Sequence, residues 1–203
     1  MTNVSTHNAY VDFWLKIALF GALLTPACHV VVLFVNGFDP IKSQVIQLSR
    51  HQLAIVHTAG LASFGLAHLA LSLALGGLDR GKLWPMARAL LAASGFGLIY
   101  TAWFFAAVSD IELASGASDP LWVVASLTGV AMGALQPGLS RVAPRLGLFS
   151  AICLGIWLWL IPVAYFVNDQ WIGAYERIVG CVYVTWVTGV SAALIKAKRQ
   201  ETI

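Results

Sequence analysis

Charge is what this sequence has least of. Its 203 residues include twelve Lys and Arg, nine Asp and Glu and five His, so only 10% are charged while 59% are hydrophobic. A soluble domain keeps roughly a quarter of its residues charged to wet its surface, and a water-soluble globule is excluded on that ground. Cysteine is also scarce. Cys28, Cys153 and Cys181 all fall in apolar segments, with no CxxC and no Cys/His pairing, so neither a disulfide framework nor a zinc knuckle is expected. The motifs of the common soluble chemistries are missing as well: there is no GxSxG, Walker A, GxGxxG, HExxH or Asp-rich calcium loop, and no basic tract suited to nucleic acid. Finally, no segment shows the strict alternation of a lipid-facing barrel strand.

Long apolar runs are what the sequence does contain. They extend over about Phe13 to Val35, Gln52 to Gly76, Pro85 to Val108, Pro120 to Gln136, Gly147 to Val167 and Gly173 to Ile195, and a helix of about 20 residues crosses the hydrocarbon core. Turn formers separate them: Gly37-Phe38-Asp39-Pro40, Gly76-Gly77, Ser115-Gly116, Pro137-Gly138 with Pro144, and Asn168-Asp169. The expectation is an all-α chain, one polytopic bundle of six transmembrane helices spanning 1–203, with no second, water-soluble domain. Lys16 followed by an apolar run has the outline of a signal peptide. Because no small-x-small cleavage site follows, the first segment is read as a retained helix. Pro26 and Pro162 lie inside helices one and five and are read as kinks.

Basic residues orient the bundle. With the N-terminus inside, Lys16, Arg80, Lys82, Arg88, Arg141, Arg145, Lys196, Lys198 and Arg199 are cytoplasmic, against only Lys42, Arg50 and Arg177 outside. That bias sets both termini in the cytoplasm and a multi-pass location in a cell membrane, the inner membrane of a bacterium. Tyr10, Trp14 and Trp84 then fall at the inner interface and Trp103, Trp122 and Trp171 at the outer one, as amphipathic rings prefer. Small residues, Ala125, Gly129 and Gly133 in helix four and Ala93 with Gly97 in helix three, mark faces where backbones could approach closely.

Polar groups inside lipid are costly, which makes each a candidate site. His29 and His57 fall at similar depth near the outer ends of helices one and two, and His68 lies roughly 16 Å deeper than His57 on nearly the same stripe. Two facing imidazoles could ligate a haem or a metal, and hydrogen bonds to Thr25 or Thr58 are the structural alternative. Glu176 and Arg177 open the sixth helix, where they could act as a cap or a surface ion pair. Alternatively they join His29, His57, Tyr100 and Trp103 in an outer-leaflet pocket suited to a lipid, quinone or isoprenoid. Asp110, Glu112 and Asp119 form an exposed acidic loop, and Asp12 with Lys16 an i, i+4 pair. No cofactor is specified by these residues.

Gly37-Phe38-Asp39-Pro40, Gln47-Leu48-Ser49, Ala59-Gly60 and Phe64-Gly65, with Glu176-Arg177 leading into a helix that contains Trp186, resemble the membrane family catalogued as domain of unknown function 998. The similarity in order and spacing runs from Gly37 to Ile195. It implies a six-helix bundle and no particular reaction. That family often carries an acidic residue after helix three, which Asp110 could match, and a histidine near the start of helix four. No histidine occurs between Asp110 and Gln136.

Two classes of function remain. One is a non-catalytic membrane protein that binds a hydrophobic small molecule, or packs as an accessory subunit in a larger membrane complex. The other is an intramembrane enzyme acting on a lipid or isoprenoid by acid-base chemistry through Glu176, His29 and His57. A small transporter is a weaker third, since no internal repeat is visible.

Overall fold

The computed structural model of the chain describes residues 2–36, 39–45, 53–78, 81–107 and 120–201. They form six helices, and no strand occurs among them: α1 Thr2–Asn36, α2 Ala54–Leu75, α3 Trp84–Ala107, α4 Pro120–Val142, α5 Pro144–Val163 and α6 Ile172–Glu201. Five of these, all but α3, are long and apolar enough to cross a membrane. The remaining helix, α3, carries Arg88 near its start and Ser94, Tyr100 and Thr101 along its length. The architecture is that of a multi-pass membrane protein.

Each helix packs on its neighbours in sequence and α6 returns to α1, so the six close into a ring, with α6 also touching α2. Successive helices run antiparallel. The pairs Gly21 with Ser63 and Thr25 with Gly60 show it for α1 and α2, and Gly65 with Gly95 and Leu75 with Trp84 for α2 and α3. Six alternating helices bring the N-terminus of α1 and the C-terminus of α6 to one end. Lys82, Arg88, Arg141, Arg145, Lys196 and Lys198 share that end, whereas Asp39, Lys42, Asp169, Glu176 and Arg177 occupy the other.

Several boundaries differ from the sequence reading, for identifiable reasons. Helix four was expected to stop at Gln136 before Pro137-Gly138, yet Pro137 lies inside α4. The break falls instead at Ala143, whose φ of −154° and ψ of 123° are the extended geometry that a following proline favours. Pro144 then opens α5, where its missing N–H would be unpaired in any case. At the other end α5 stops at Val163, short of the expected Val167, one residue after Pro162. Both α1 and α6 run beyond the apolar windows, to Thr2 and Glu201.

Lipid gives apolar helices no hydrophobic reason to associate, so contact must come from close packing and hydrogen bonds. Gly65 and Gly95 supply one such contact. A Cβ on Gly65 would lie 2.6 Å from the Gly95 carbonyl oxygen, and one on Gly95 would lie 2.7 Å from the Gly65 oxygen. Nearby, the Ser72 hydroxyl donates to Arg88 O at 2.9 Å while Arg88 Nε donates to Ser72 O at 3.0 Å. Arg88 is therefore tied to α2 by a reciprocal pair. Across the ring, Tyr183 OH donates to Ala125 O at 2.6 Å and the fully buried Trp186 donates through Nε1 to Ser150 Oγ at 2.9 Å.

The small-residue stripe of α4 is used otherwise than expected. A Cβ on Gly129 would lie 2.4 Å from the Trp157 ring, so the gap is filled by an indole from α5 and not by a neighbouring backbone. On α3, Gly97 faces Val124 of α4 while Ala93 is exposed, and the backbone contact to α2 belongs to Gly95.

Replacing Gly65 by Val should force α2 and α3 apart and lower stability by about 1–3 kcal/mol, the usual cost of overpacking. Gly155 and Gly180 have nothing within 4 Å of an added Cβ, so Gly155→Ala and Gly180→Ala should leave the melting temperature unchanged or raise it. Thermal unfolding of the detergent-solubilised protein, followed by tryptophan fluorescence, checks both.

Candidate functional site

The connection that follows α1 is shaped by Asp39. Its Oδ1 accepts the Ile41 N–H at 2.8 Å and the Lys42 N–H at 3.4 Å, and its carbonyl accepts the Ser43 N–H at 2.9 Å. Side chains of this type bond their own backbone two residues on and so stabilise a turn. The turned segment 39–45 lies along the first turns of α6. Ala174 N–H donates to Ile41 O at 2.9 Å, and the Glu176 carboxylate accepts the Val45 N–H at 2.6 Å. Arg177 Nη1 donates to Ser43 O at 2.7 Å and to Gly173 O at 2.8 Å. Only glycine fits at 173, because a Cβ there would lie 2.4 Å from Ser43 O and 2.9 Å from Ile41 O. These bonds form a strap that fastens the far end of α1 to α6.

Beside the strap the structure brings His29 and His57 together, with ring centroids 5.7 Å apart and planes tilted by 56°. His57 is buried and His29 partly so. Thr58, one possible partner, instead donates to Ala54 O and Ile55 O, and Thr25 donates to Gly21 O and Gly60 O. Three nitrogens here are buried without a hydrogen-bond partner: His29 Nε2, Arg177 Nε and Arg177 Nη2. The Arg177 charge acts on both imidazoles, and Glu176 and Asp39 act in turn on Arg177. Four of the six expected site residues, His29, His57, Glu176 and Arg177, thus gather at one end of α1, α2 and α6.

Tyr100 and Trp103 do not join them. Both are exposed on α3, which packs on α2 and α4, and their rings meet each other and Phe104. His68, fully buried, is satisfied within the bundle. Its Nδ1 lies 2.9 Å from Phe64 O, which can only accept, so Nδ1 carries the proton and Nε2 faces the Thr128 hydroxyl at 3.4 Å. Asp12 and Lys16 form the expected ion pair. His51, Asp110, Glu112 and Asp119 lie outside the described residues, as do the Gly37-Phe38 and Gln47-Leu48-Ser49 motifs.

One turn from the histidine pair, the Thr25 hydroxyl reaches Gly60 O at 3.0 Å, and a Cβ on Gly60 would lie 2.7 Å from that of Cys28, so α1 and α2 are in close contact there. Among the described residues no group of three or more His, Cys, Asp or Glu converges to hold a metal ion.

A second feature escaped the sequence reading, a half-open cavity of about 280 Å³ between α4, α5 and α6. Trp122, Trp157, Tyr165 and Tyr175 line it, with Trp122 stacked on Tyr175 at 5.6 Å and Tyr175 OH donating to Leu160 O. The only hint in the sequence was four aromatic residues at the same ends of three helices. The strap was equally hidden, since nothing about Ser43 or Val45 marks them as partners of Arg177 and Glu176.

No family model matches the chain, and neither a curated protein nor a solved structure does so.

The Glu176 bond to Val45 makes a direct prediction. A hydrogen bond to a charged group contributes about 1.5–3 kcal/mol, so Glu176→Ala should speed amide exchange at Val45 roughly ten- to hundredfold. Glu176→Gln, which keeps an acceptor, should have a smaller effect. Hydrogen–deuterium exchange of the segment 39–45 resolves the two.

Proposed function

We propose that this chain is a non-catalytic integral membrane protein that binds a hydrophobic small molecule, a lipid, quinone or isoprenoid, by its polar end at the His29, His57 and Arg177 cluster. The observation that carries the reading is the set of three buried nitrogens without partners, His29 Nε2 on α1 and Arg177 Nε and Nη2 on α6. Leaving buried donors unmade is expensive, and a ligand group that completes them recovers that cost. Exposed apolar side chains on the same stretches of α1, α2 and α6, among them Phe34, Ile55 and Ile178, offer a path for an apolar tail. Acid-base catalysis has less support, because the Glu176 carboxylate is occupied by the Val45 N–H.

In this reading α3 is the sixth span despite Arg88, whose Nε is satisfied by Ser72 O. The basic end of the ring faces the cytoplasm and both termini lie inside, in keeping with the retention of Lys and Arg on that side. The similarity to the membrane family catalogued as domain of unknown function 998 agrees with a six-helix bundle and adds no reaction.

Two measurements test it. Native mass spectrometry of protein extracted in a mild detergent should show a retained lipid-like mass, and a clean, ligand-free monomer would overturn the binding assignment. For orientation, a membrane-impermeant thiol reagent applied to intact cells should label Lys42→Cys and spare Lys198→Cys in a background without native cysteines. The reverse pattern would place the basic end outside.

A further inference from the structure

From the way Arg177 is held, we infer that the polar end recognised at this cluster is an oxyanion, a carboxylate or phosphate, gripped side-on by Arg177. This rests on the binding function just proposed and names the chemistry of its ligand. A guanidinium offers five N–H donors in a rigid plane. Nη1 is committed twice, to Ser43 O and Gly173 O. The opposite edge carries Nε and Nη2, both buried and both without a partner. Those two N–H groups are parallel, and two parallel donors match the two oxygens of a carboxylate or phosphate.

Carboxylates close by do not fill that edge. Asp39 Oδ1 accepts from Ile41 N–H and Lys42 N–H, and Glu176 Oε2 accepts from Val45 N–H. Both acids act electrostatically on Arg177, yet neither is hydrogen-bonded to Nε or Nη2. His29 Nε2 is also buried and unpartnered, and the Arg177 charge acts on its ring. A neutral head such as an alcohol or a quinone carbonyl could meet one of these donors. An oxyanion meets two at once and is also attracted by the guanidinium charge.

The source of the oxyanion, an amphiphile or a free ion, is separated by experiment. Full-length protein in dodecyl maltoside, a non-ionic detergent, is titrated with radiolabelled oleate, with oleyl alcohol and with inorganic phosphate. Oleate should bind roughly tenfold or more tightly than oleyl alcohol, the range that charge-assisted hydrogen bonds supply. Arg177→Lys, which keeps the charge and loses the fork, should remove most of that advantage, weakening oleate far more than oleyl alcohol. Exchange at the Val45 amide reports whether the strap survives in that variant, and the comparison of the two amphiphiles on the unaltered protein needs no variant at all. Phosphate that displaces oleate at millimolar concentration identifies a free ion as a competent ligand, and phosphate without effect identifies the amphiphile. Equal affinity for oleate and oleyl alcohol would overturn the oxyanion assignment and leave hydrophobic binding standing. Phosphate binding without either amphiphile would do the opposite. Failure of all three probes would sink both.

Discussion

Hydrocarbon removes the force that folds soluble proteins, and everything in this bundle depends on what replaces it. Apolar side chains gain nothing by leaving lipid for one another, so helices stay together only where backbones meet or polar groups bond across the gap. Gly65 and Gly95 provide the first kind of contact and the reciprocal Ser72 and Arg88 bonds the second. Closing the ring is harder than extending it, because α1 and α6 are the most distant helices in sequence. The closure at one end is made by the strap, in which Ala174, Glu176 and Arg177 each bond the backbone of segment 39–45. From there α6 reaches α5 through Tyr175 and Trp186 and α4 through Tyr183. Among the described residues α6 thus bonds to α4, α5 and the segment 39–45.

How much of this could be read from residues alone follows from what each signal encodes. The apolar runs found all six helices, because length and composition are one-dimensional properties. Juxtaposing His29 and His57 was also within reach: they lie on adjacent antiparallel helices, where counting residues from the shared connection fixes depth. Depth says nothing about rotation, however. Tyr100 and Trp103 were placed at a plausible depth and proved to face outward on a helix that packs on α2 and α4. The same limit explains the stripe at Gly129, whose spacing announced a contact without saying that Trp157 would fill it. At Pro137 the error was of another kind. Proline is a helix breaker in general, but the stronger constraint fell on Ala143, the residue before Pro144.

Two histidines, His29 and His68, differ in how their ring nitrogens are met. His68 is fully buried, with a carbonyl of its own helix on one nitrogen and a hydroxyl of α4 near the other. His29 has a buried nitrogen that nothing answers. Burial of a polar group is tolerable when it is bonded and costly when it is not. The contrast separates a paired imidazole from an unpaired one, and the sequence does not carry that distinction, since there both are single imidazoles in apolar helices.

Arg177 connects the two themes because its planar group does two jobs at once. Nη1 belongs to the strap and holds α6 against the chain leaving α1. The guanidinium is rigid, so fixing Nη1 also fixes the direction in which Nε and Nη2 point. In the proposed binding role the donors would be aimed before any ligand arrives, and their alignment would cost little at the moment of binding. It follows that the bond geometry closing the ring and the geometry of the open donors are not independent. Whatever loosens Ser43 from α6 frees Nη1 and with it the orientation of the fork.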